Sequence, residues 1–237
     1  MINNYPIVNI YEKNSLKSKL SSQLIYGEKF QILHKKKGWL KIKTSYDNYI
    51  GFIKKRKFLK RIKITHKVSS LSANLYSRPE EKFLLTTKLP FCSKISVSEI
   101  NKKFYKFEKY WIKKENVVPI SFKQQIFKDI KMFKNISYKW GGKTFKGIDC
   151  SALVQIFFKF NNLYCPRDTK DQIKYFKRAK KIKKNSIIYW KGHVGVCLSK
   201  TQLIHAYGPK KKVLYMDIKK TFKLIEKTAK LKVIGIR

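Results

Sequence analysis

Apolar and polar positions alternate with a period of two through residues 22–55, SQLIYGEKFQILHKKKGWLKIKTSYDNYIGFIKK. Alternation puts every second side chain on one face of an extended chain, so it predicts short strands over 30–32, 39–42 and 49–53. Lys37-Gly38 and Asp47-Asn48 supply turn chemistry between them. Short strands joined by tight turns make a small all-β barrel. A weaker copy follows at 89–115, where SKISVSEI answers EKFQILH, KFYKFE answers GWLKIK and KYWIKK answers YIGFIKK. Such self-similarity predicts two copies of one all-β module in tandem.

The period changes near Pro119. In SFKQQIFKDIKMFKN the apolar residues Phe122, Ile126, Phe127, Ile130 and Phe133 recur at three- and four-residue spacing, which predicts an amphipathic helix opening a new domain. A loop with Trp140-Gly141-Gly142 comes next. Asp149-Cys150-Ser151 then precedes Leu153, Ile156, Phe157 and Phe160, again one helical face, so Cys150 falls at a helix N-terminus. Farther on, IIYWKGHVGVCLSK and TQLIHAYG read as adjacent strands carrying His193 and His205. The expected domains are therefore 1–62, 63–120 and 121–237.

A chain of 237 residues with 43% hydrophobic and 14% aromatic content can bury a real core, despite a mean hydropathy of -0.42. Its net charge of +42 would ordinarily point to nucleic acid or an anionic membrane. Only six of the 56 basic residues are Arg, however, and the lysines run the whole length of the chain. A surface selected for phosphate would use the bidentate guanidinium more often, so the reading is solvated surface, with neither nucleic acid nor membrane as partner. The stretch MINNYPIVNIYEKNSLKSKL has no apolar run of signal-peptide length, and the expected location is the cytoplasm. Cys92, Cys150, Cys165 and Cys197 lack paired metal spacing and read as reduced thiols, with no metal and no cofactor expected.

Cys150 stands apart. A thiol becomes a good nucleophile when ionised, and the free N–H groups at a helix N-terminus favour the thiolate, so its pKa is expected to be lowered. A buried packing residue is the alternative reading. Two of only four histidines on neighbouring strands supply a candidate base and a group to orient it, which is the arrangement that covalent acyl transfer requires.

The set Tyr138-x-Trp140-Gly141-Gly142, Asp149-Cys150-Ser151, Pro166-Arg167-Asp168-Thr169, Gly192-His193-Val194-Gly195 and His205-Ala206 resembles the NlpC-type cysteine peptidases over roughly 122–237. The preceding modules resemble bacterial SH3-like domains, which extends the likeness to the multidomain γ-D-glutamyl-L-diamino acid endopeptidases. The resemblance implies an α+β papain-like domain preceded by two SH3-like barrels. It implies Cys150 as nucleophile, His193 as base and His205 as orienter, with Tyr138 near the nucleophile and the Cys150 N–H at the oxyanion. Asp149, Ser151, Arg167, Asp168 and Thr169 fall on motif positions expected at the substrate. Asp168 is the candidate carboxylate for a peptide ammonium, and Arg167 is expected to lock its loop. Glu28 and Tyr49 match positions where related enzymes close the site from the SH3-like side; a turn carboxylate and a barrel core aromatic are the alternatives. Ala152, Thr169 and Asn185-Ser186 depart from the commoner family residues without touching a catalytic role.

The implied substrate is a murein-derived peptide with a free N-terminal L-Ala, cleaved after D-glutamate in cell-wall recycling. Alternatives are an exported endopeptidase acting on intact wall, and a basic polymer-binding protein with a degenerate peptidase domain. The following diamino acid and the oligomeric state stay open.

Overall fold

The computed structural model describes residues 1–237 and divides into two compact units, Met1–Phe122 and Lys123–Arg237. The first unit is all β. Strands β1 (Ile7–Tyr11), β2 (Leu20–Ile25), β3 (Phe30–Lys36), β4 (Trp39–Thr44) and β5 (Ile50–Lys54) form one antiparallel sheet in the order β2-β1-β5-β4-β3. The predicted alternation holds in β4, where Leu40 and Ile42 turn inward onto Val8, Ile10, Leu24, Phe30 and Ile53. Lys37 and Gly38 both take positive φ, 41° and 78°, the geometry that a two-residue hairpin requires. Strands β1 and β2 were not in the sequence expectation. Apolar residues fall on both faces of IVNIY, and LSSQLI carries a polar run, so neither shows a clean period of two.

Eight short strands follow in the same unit: β6 (His66–Val68), β7 (Ser72–Tyr76), β8 (Leu84–Pro90), β9 (Lys94–Ile95), β10 (Glu99–Ile100), β11 (Phe104–Phe107), β12 (Tyr110–Lys113) and β13 (Val117–Pro119). They make sheets ordered β10-β11-β12-β7-β8 and β13-β6-β9. The segments KFYKFE and KYWIKK become the hairpin β11–β12, whereas SKISVSEI is divided between β9 and β10. Tyr26, from the end of β2, packs into the core of this second barrel with Val68, Leu75, Leu89 and Phe107. Its carbonyl accepts from Lys94 N–H at 2.9 Å, so a side chain of the first barrel completes the core of the second. Lys67 is fully buried, and its ammonium donates to the carbonyls of Ile120 and Phe122 at 3.2 and 2.6 Å.

The second unit is α+β. The helix expected over 121–135 does not form: only a short 3-10 turn occurs there, Ile130–Phe133. Phe127 and Asn135 take φ of 71° and 67°, which no α-helix contains. The apolar spacing is used differently. Phe127 and Phe133 pack at 5.7 to 6.1 Å ring separations onto Phe157 and Phe158 of the next helix, from an irregular chain. A two-stranded hairpin, β14 (Lys143–Thr144) and β15 (Gly147–Ile148), then leads into α1 (Cys150–Phe160) and α2 (Thr169–Tyr175). Gly142 is required here, because a Cβ at that position would lie 2.4 Å from the Gly147 carbonyl oxygen. Strands β16 (Ile187–Trp190), β17 (His193–Cys197), β18 (Gln202–Tyr207), β19 (Lys212–Asp217) and β20 (Val233–Ile236) form an antiparallel sheet ordered β19-β18-β17-β16-β20. Helix α1 packs on β17 and β18, and α3 (Ile218–Ala229) on β18 and β19. No helix is long and apolar enough to cross a membrane.

Candidate active site

Helix α1 starts where an aspartate can cap it. Asp149 Oδ1 accepts from the N–H of Ala152 at 2.8 Å and Oδ2 from that of Gly141 at 2.9 Å, which fixes both the helix start and the Gly-Gly loop before it. Cys150 is the first residue of the helix and is 6% exposed. Its Sγ lies 4.0 Å from the Gly192 carbonyl oxygen, and the N–H groups of Val194 and Ser151 point at it. The sulfur is thus held against the main chain on both sides of His193.

His193 opens β17 directly after the tight turn Lys191-Gly192, with Gly192 at φ 73°. The register pairs Val196 with Ile204, so His193 and His205 lie diagonally on one face of adjacent strands. His193 Nε2 and His205 Nδ1 are 2.8 Å apart. Both rings are buried among aromatics: Trp190 is 5.4 Å from His193, and Tyr207 is 5.3 Å from His193 and stacks 5.1 Å from His205. The Tyr207 hydroxyl is tied to Thr228 on α3 at 2.5 Å.

Burial dominates the electrostatics. It pushes the Cys150 thiol up to about 12, with the Asp149 carboxylate adding to the shift and the Val194 N–H, the Arg167 guanidinium and the Ser151 N–H opposing it. This corrects the expectation of a lowered thiol. Helix-end N–H groups do favour the thiolate, but the loss of water outweighs them. Burial also lowers His193 to about 4, and lowers His205 further with His193 beside it. Near neutral pH the site therefore holds a neutral thiol and two neutral imidazoles. Such a site can transfer the thiol proton to an imidazole as the sulfur attacks a carbonyl.

The motif polar residues divide into two groups. Arg167 grips Asp149 with two bonds, Nη1–Oδ1 at 3.0 Å and Nη2–Oδ2 at 2.5 Å, and Nη1 also donates to Ser151 Oγ at 2.9 Å. Asp149, Ser151 and Arg167, expected at the substrate, instead hold one another in a buried cluster beneath the nucleophile. Arg167 binds this cluster, where a lock on the Asp168 loop was expected. Asp168 and Thr169 start α2 and are half-buried, and the Asp168 carboxylate makes no bond to that helix. Burial raises its pKa, and Asp149 and Asp171 add to the effect against Arg167 and Lys170. Tyr138 is half-buried, with a hydroxyl raised by burial and by its nearness to Cys150 and to the Asp149 carboxylate. Glu28 and Tyr49 belong to the first unit. Glu28 Oε2 accepts from Ile25 N–H at 2.7 Å, and Tyr49 N–H donates to Thr44 Oγ1 at 2.9 Å.

Two residues escaped the sequence reading. Gln172 is buried on α2 and donates to the carbonyls of Ser151 and Pro166 at 3.0 and 2.9 Å, which ties α2 to the nucleophile's turn. Nothing in its neighbourhood singles it out. Tyr207 was legible by alternation, since it follows His205 by two on a predicted strand.

Comparison with known proteins agrees with this geometry. Residues 135–228 match the NlpC/P60 family and residues 10–58 the bacterial dipeptidyl-peptidase Sh3 domain. The chain carries an NlpC/P60 domain preceded by a bacterial dipeptidyl-peptidase SH3 domain. It is 27% identical over 178 residues to the gamma-D-glutamyl-L-lysine dipeptidyl-peptidase of Bacillus subtilis, a match covering 65% of this chain and 58% of that protein. It is 22% identical over 231 residues to dipeptidyl-peptidase 6 of Lysinibacillus sphaericus, covering 84% of each. The chain thus spans little more than half, 58%, of the B. subtilis relative. A crystal structure of an NlpC/P60 family protein from Bacillus cereus superposes with a TM-score of 0.85 at 16% identity, covering 100% of this chain and 98% of that one, and so shares its fold.

Proposed function

We propose that the protein is a cysteine peptidase that hydrolyses the bond between γ-D-glutamate and a diamino acid in murein-derived peptides with a free N-terminal L-Ala. Its place would be cell-wall peptide recycling in the cytoplasm. One observation carries the reading: Cys150 Sγ sits at the helix start against the main chain flanking His193, whose Nε2 is 2.8 Å from His205 Nδ1. The name shared by the Bacillus subtilis and Bacillus cereus relatives, gamma-D-glutamyl-L-lysine dipeptidyl-peptidase, supports the choice of bond.

The pairing of the two imidazoles dictates the proton inventory. With Nε2 of His193 engaged by His205, Nδ1 remains to take the thiol proton. His193 must then carry its own proton on Nε2 and donate it to His205 Nδ1, which places the His205 proton on its Nε2. That atom is buried without a hydrogen-bond partner. The opposite tautomer pair would put a proton on His193 Nδ1 and remove the base.

In the reaction, Sγ bonds to the γ-carbonyl carbon while its proton moves to His193. The oxygen that becomes negative takes the Cys150 N–H. Collapse expels the diamino-acid amine, which leaves with the proton from His193, and a thioester remains. Water gives a proton to His193 and attacks the thioester, which restores the thiol and releases the acyl dipeptide. Asp168, half-buried and raised, is the carboxylate for the substrate ammonium, whose charge would restore its ionised form.

Incubation with L-Ala-γ-D-Glu-L-Lys, free and N-acetylated, followed by mass spectrometry tests the proposal. The free peptide should release L-Ala-γ-D-Glu, and the Cys150→Ala variant should not. Acetylation removes a charged hydrogen bond of about 1.5–3 kcal/mol and should slow turnover at least about tenfold. Cleavage at another bond, or none in either peptide, would overturn it.

A further inference from the structure

The first barrel carries a cavity of about 710 Å³ with Lys29, Lys60, Arg61 and Lys63 on its wall beside Ile2 and Phe30. No carboxylate lines it. None of the four cations stands in an ion pair. Their positions are built into the fold. Ile2 pairs with both Lys29 and Leu59 through backbone bridges, and Ser45 N–H donates to the Lys29 carbonyl at 3.0 Å. Lys29 and Lys60 therefore leave from tethered main chain.

The surrounding sequence is denser in charge than the chain at large. Residues 54–63, KKRKFLKRIK, hold seven basic residues in ten and no acid, against 56 in 237 overall. Two more of these cations are ordered on aromatic faces, Lys54 over Trp39 at 4.6 Å and Arg56 over Tyr5 at 4.9 Å. Like charges gathered at one concave site raise the local potential and concentrate a multivalent anion there. Three lysine point charges and one guanidinium fork suit phosphate oxygens. The same contacts say what the ligand lacks. Trp39 and Tyr5 lie off the wall beneath Lys54 and Arg56, and the one ring that lines it, Phe30, is 1% exposed and packs edge-on against Phe58, so no ring is presented on which bases could stack.

We infer that this cavity of the first barrel binds a flexible phosphodiester chain without bases. The proposal is independent of the peptidase reading, since no residue of the second unit enters it. The test measures fluorescence anisotropy of a labelled abasic phosphodiester oligomer against the full chain over a range of NaCl. The comparison probe is a thymidine oligomer with the same number of phosphates.

Neutralising Lys29, Lys60, Arg61 and Lys63 together to Gln should weaken binding of the abasic oligomer by about tenfold or more. It should also reduce the slope of log affinity against log salt by about 3, at roughly 0.7 per phosphate contact. A variant with Lys177, Lys180, Lys181 and Lys183 changed to Gln removes the same charge elsewhere and should alter affinity only slightly. All eight side chains are exposed, so both variants keep the fold. Equal losses in the two variants would assign binding to net charge and overturn the site. Markedly tighter binding of the thymidine oligomer would overturn the ligand class in favour of a nucleic acid.

Discussion

The protonation of Cys150 decides how the site starts its work. A thiol raised to about 12 beside an imidazole lowered to about 4 forms no resting ion pair, so its alkylation by iodoacetamide should climb about tenfold per pH unit between about pH 7 and 10. Cys92, Cys165 and Cys197 are fully buried and should react only on unfolding. A rate that is flat through neutrality would reveal a thiolate–imidazolium pair instead. The histidines also bear on stability. An unfolded histidine takes up a proton near 6.5, whereas folded His193 resists until about 4 and His205 resists further. Between those values the unfolded chain binds more protons, so stability present above 6.5 is lost as pH falls. For His193 the loss is about 2 kcal/mol by pH 5, and His205 adds to it in the same direction. Urea unfolding at pH 7 and pH 5 should show a smaller drop for His205→Asn than for the unaltered protein, and equal drops would refute the shift. None of this was legible in the sequence. The residue types and their order identified the three participants, but burial is a tertiary property, and it reversed the sign of the expected thiol shift.

Helix α1 depends on a buried ion pair for its starting point. Arg167 neutralises Asp149, which caps the helix, braces the Gly-Gly loop and stands next to the nucleophile. Arg167→Leu leaves an uncompensated carboxylate and should cost about 3–5 kcal/mol of stability. Combining it with Asp149→Asn, whose amide oxygen can still cap, should recover much of the loss. The double variant should also alkylate somewhat faster at a given pH, because the Asp149 carboxylate raises the thiol by more than the Arg167 guanidinium lowers it. Strict additivity in thermal or urea unfolding would show that the two residues do not act as a pair. Elements were unevenly legible. Strand β4 followed its period, with Leu40 and Ile42 buried and Lys41 exposed between them, whereas β17 and α1 are buried on nearly every side and were legible from their apolar residues and flanking turns. The segment 121–135 shows helical spacing without a helix, since Phe127 and Phe133 reach α1 from a chain that turns through positive φ at Phe127. Periodicity records which residues are buried, and a chain can bury them without coiling.

Across the whole molecule, the hairpin β11–β12 answers β4–β5, β9 and β10 divide what is one strand in β3, and the two modules share a core residue. Tyr26 leaves the first barrel to complete the core of the second, with its ring 5.6 Å from Phe107. Tyr26→Ala should therefore destabilise the unit Met1–Phe122 by about 3–5 kcal/mol, the cost of a large buried aromatic. Hydrogen exchange should show protection falling in strands of both barrels together, and a loss confined to β1–β5 would contradict the link. The adjoining Gly27 sharpens the point. It holds φ 80°, and a Cβ there would lie 2.1 Å from the Lys94 carbonyl oxygen. A position in the first copy is thus closed to every side chain by the second copy. Duplicated modules are usually treated as units that recombination can shuffle, lose or exchange one at a time. Here a crossover between the barrels would strip Gly27 of its constraint and leave a tyrosine without its pocket, so exchanging one barrel alone would carry a cost in stability.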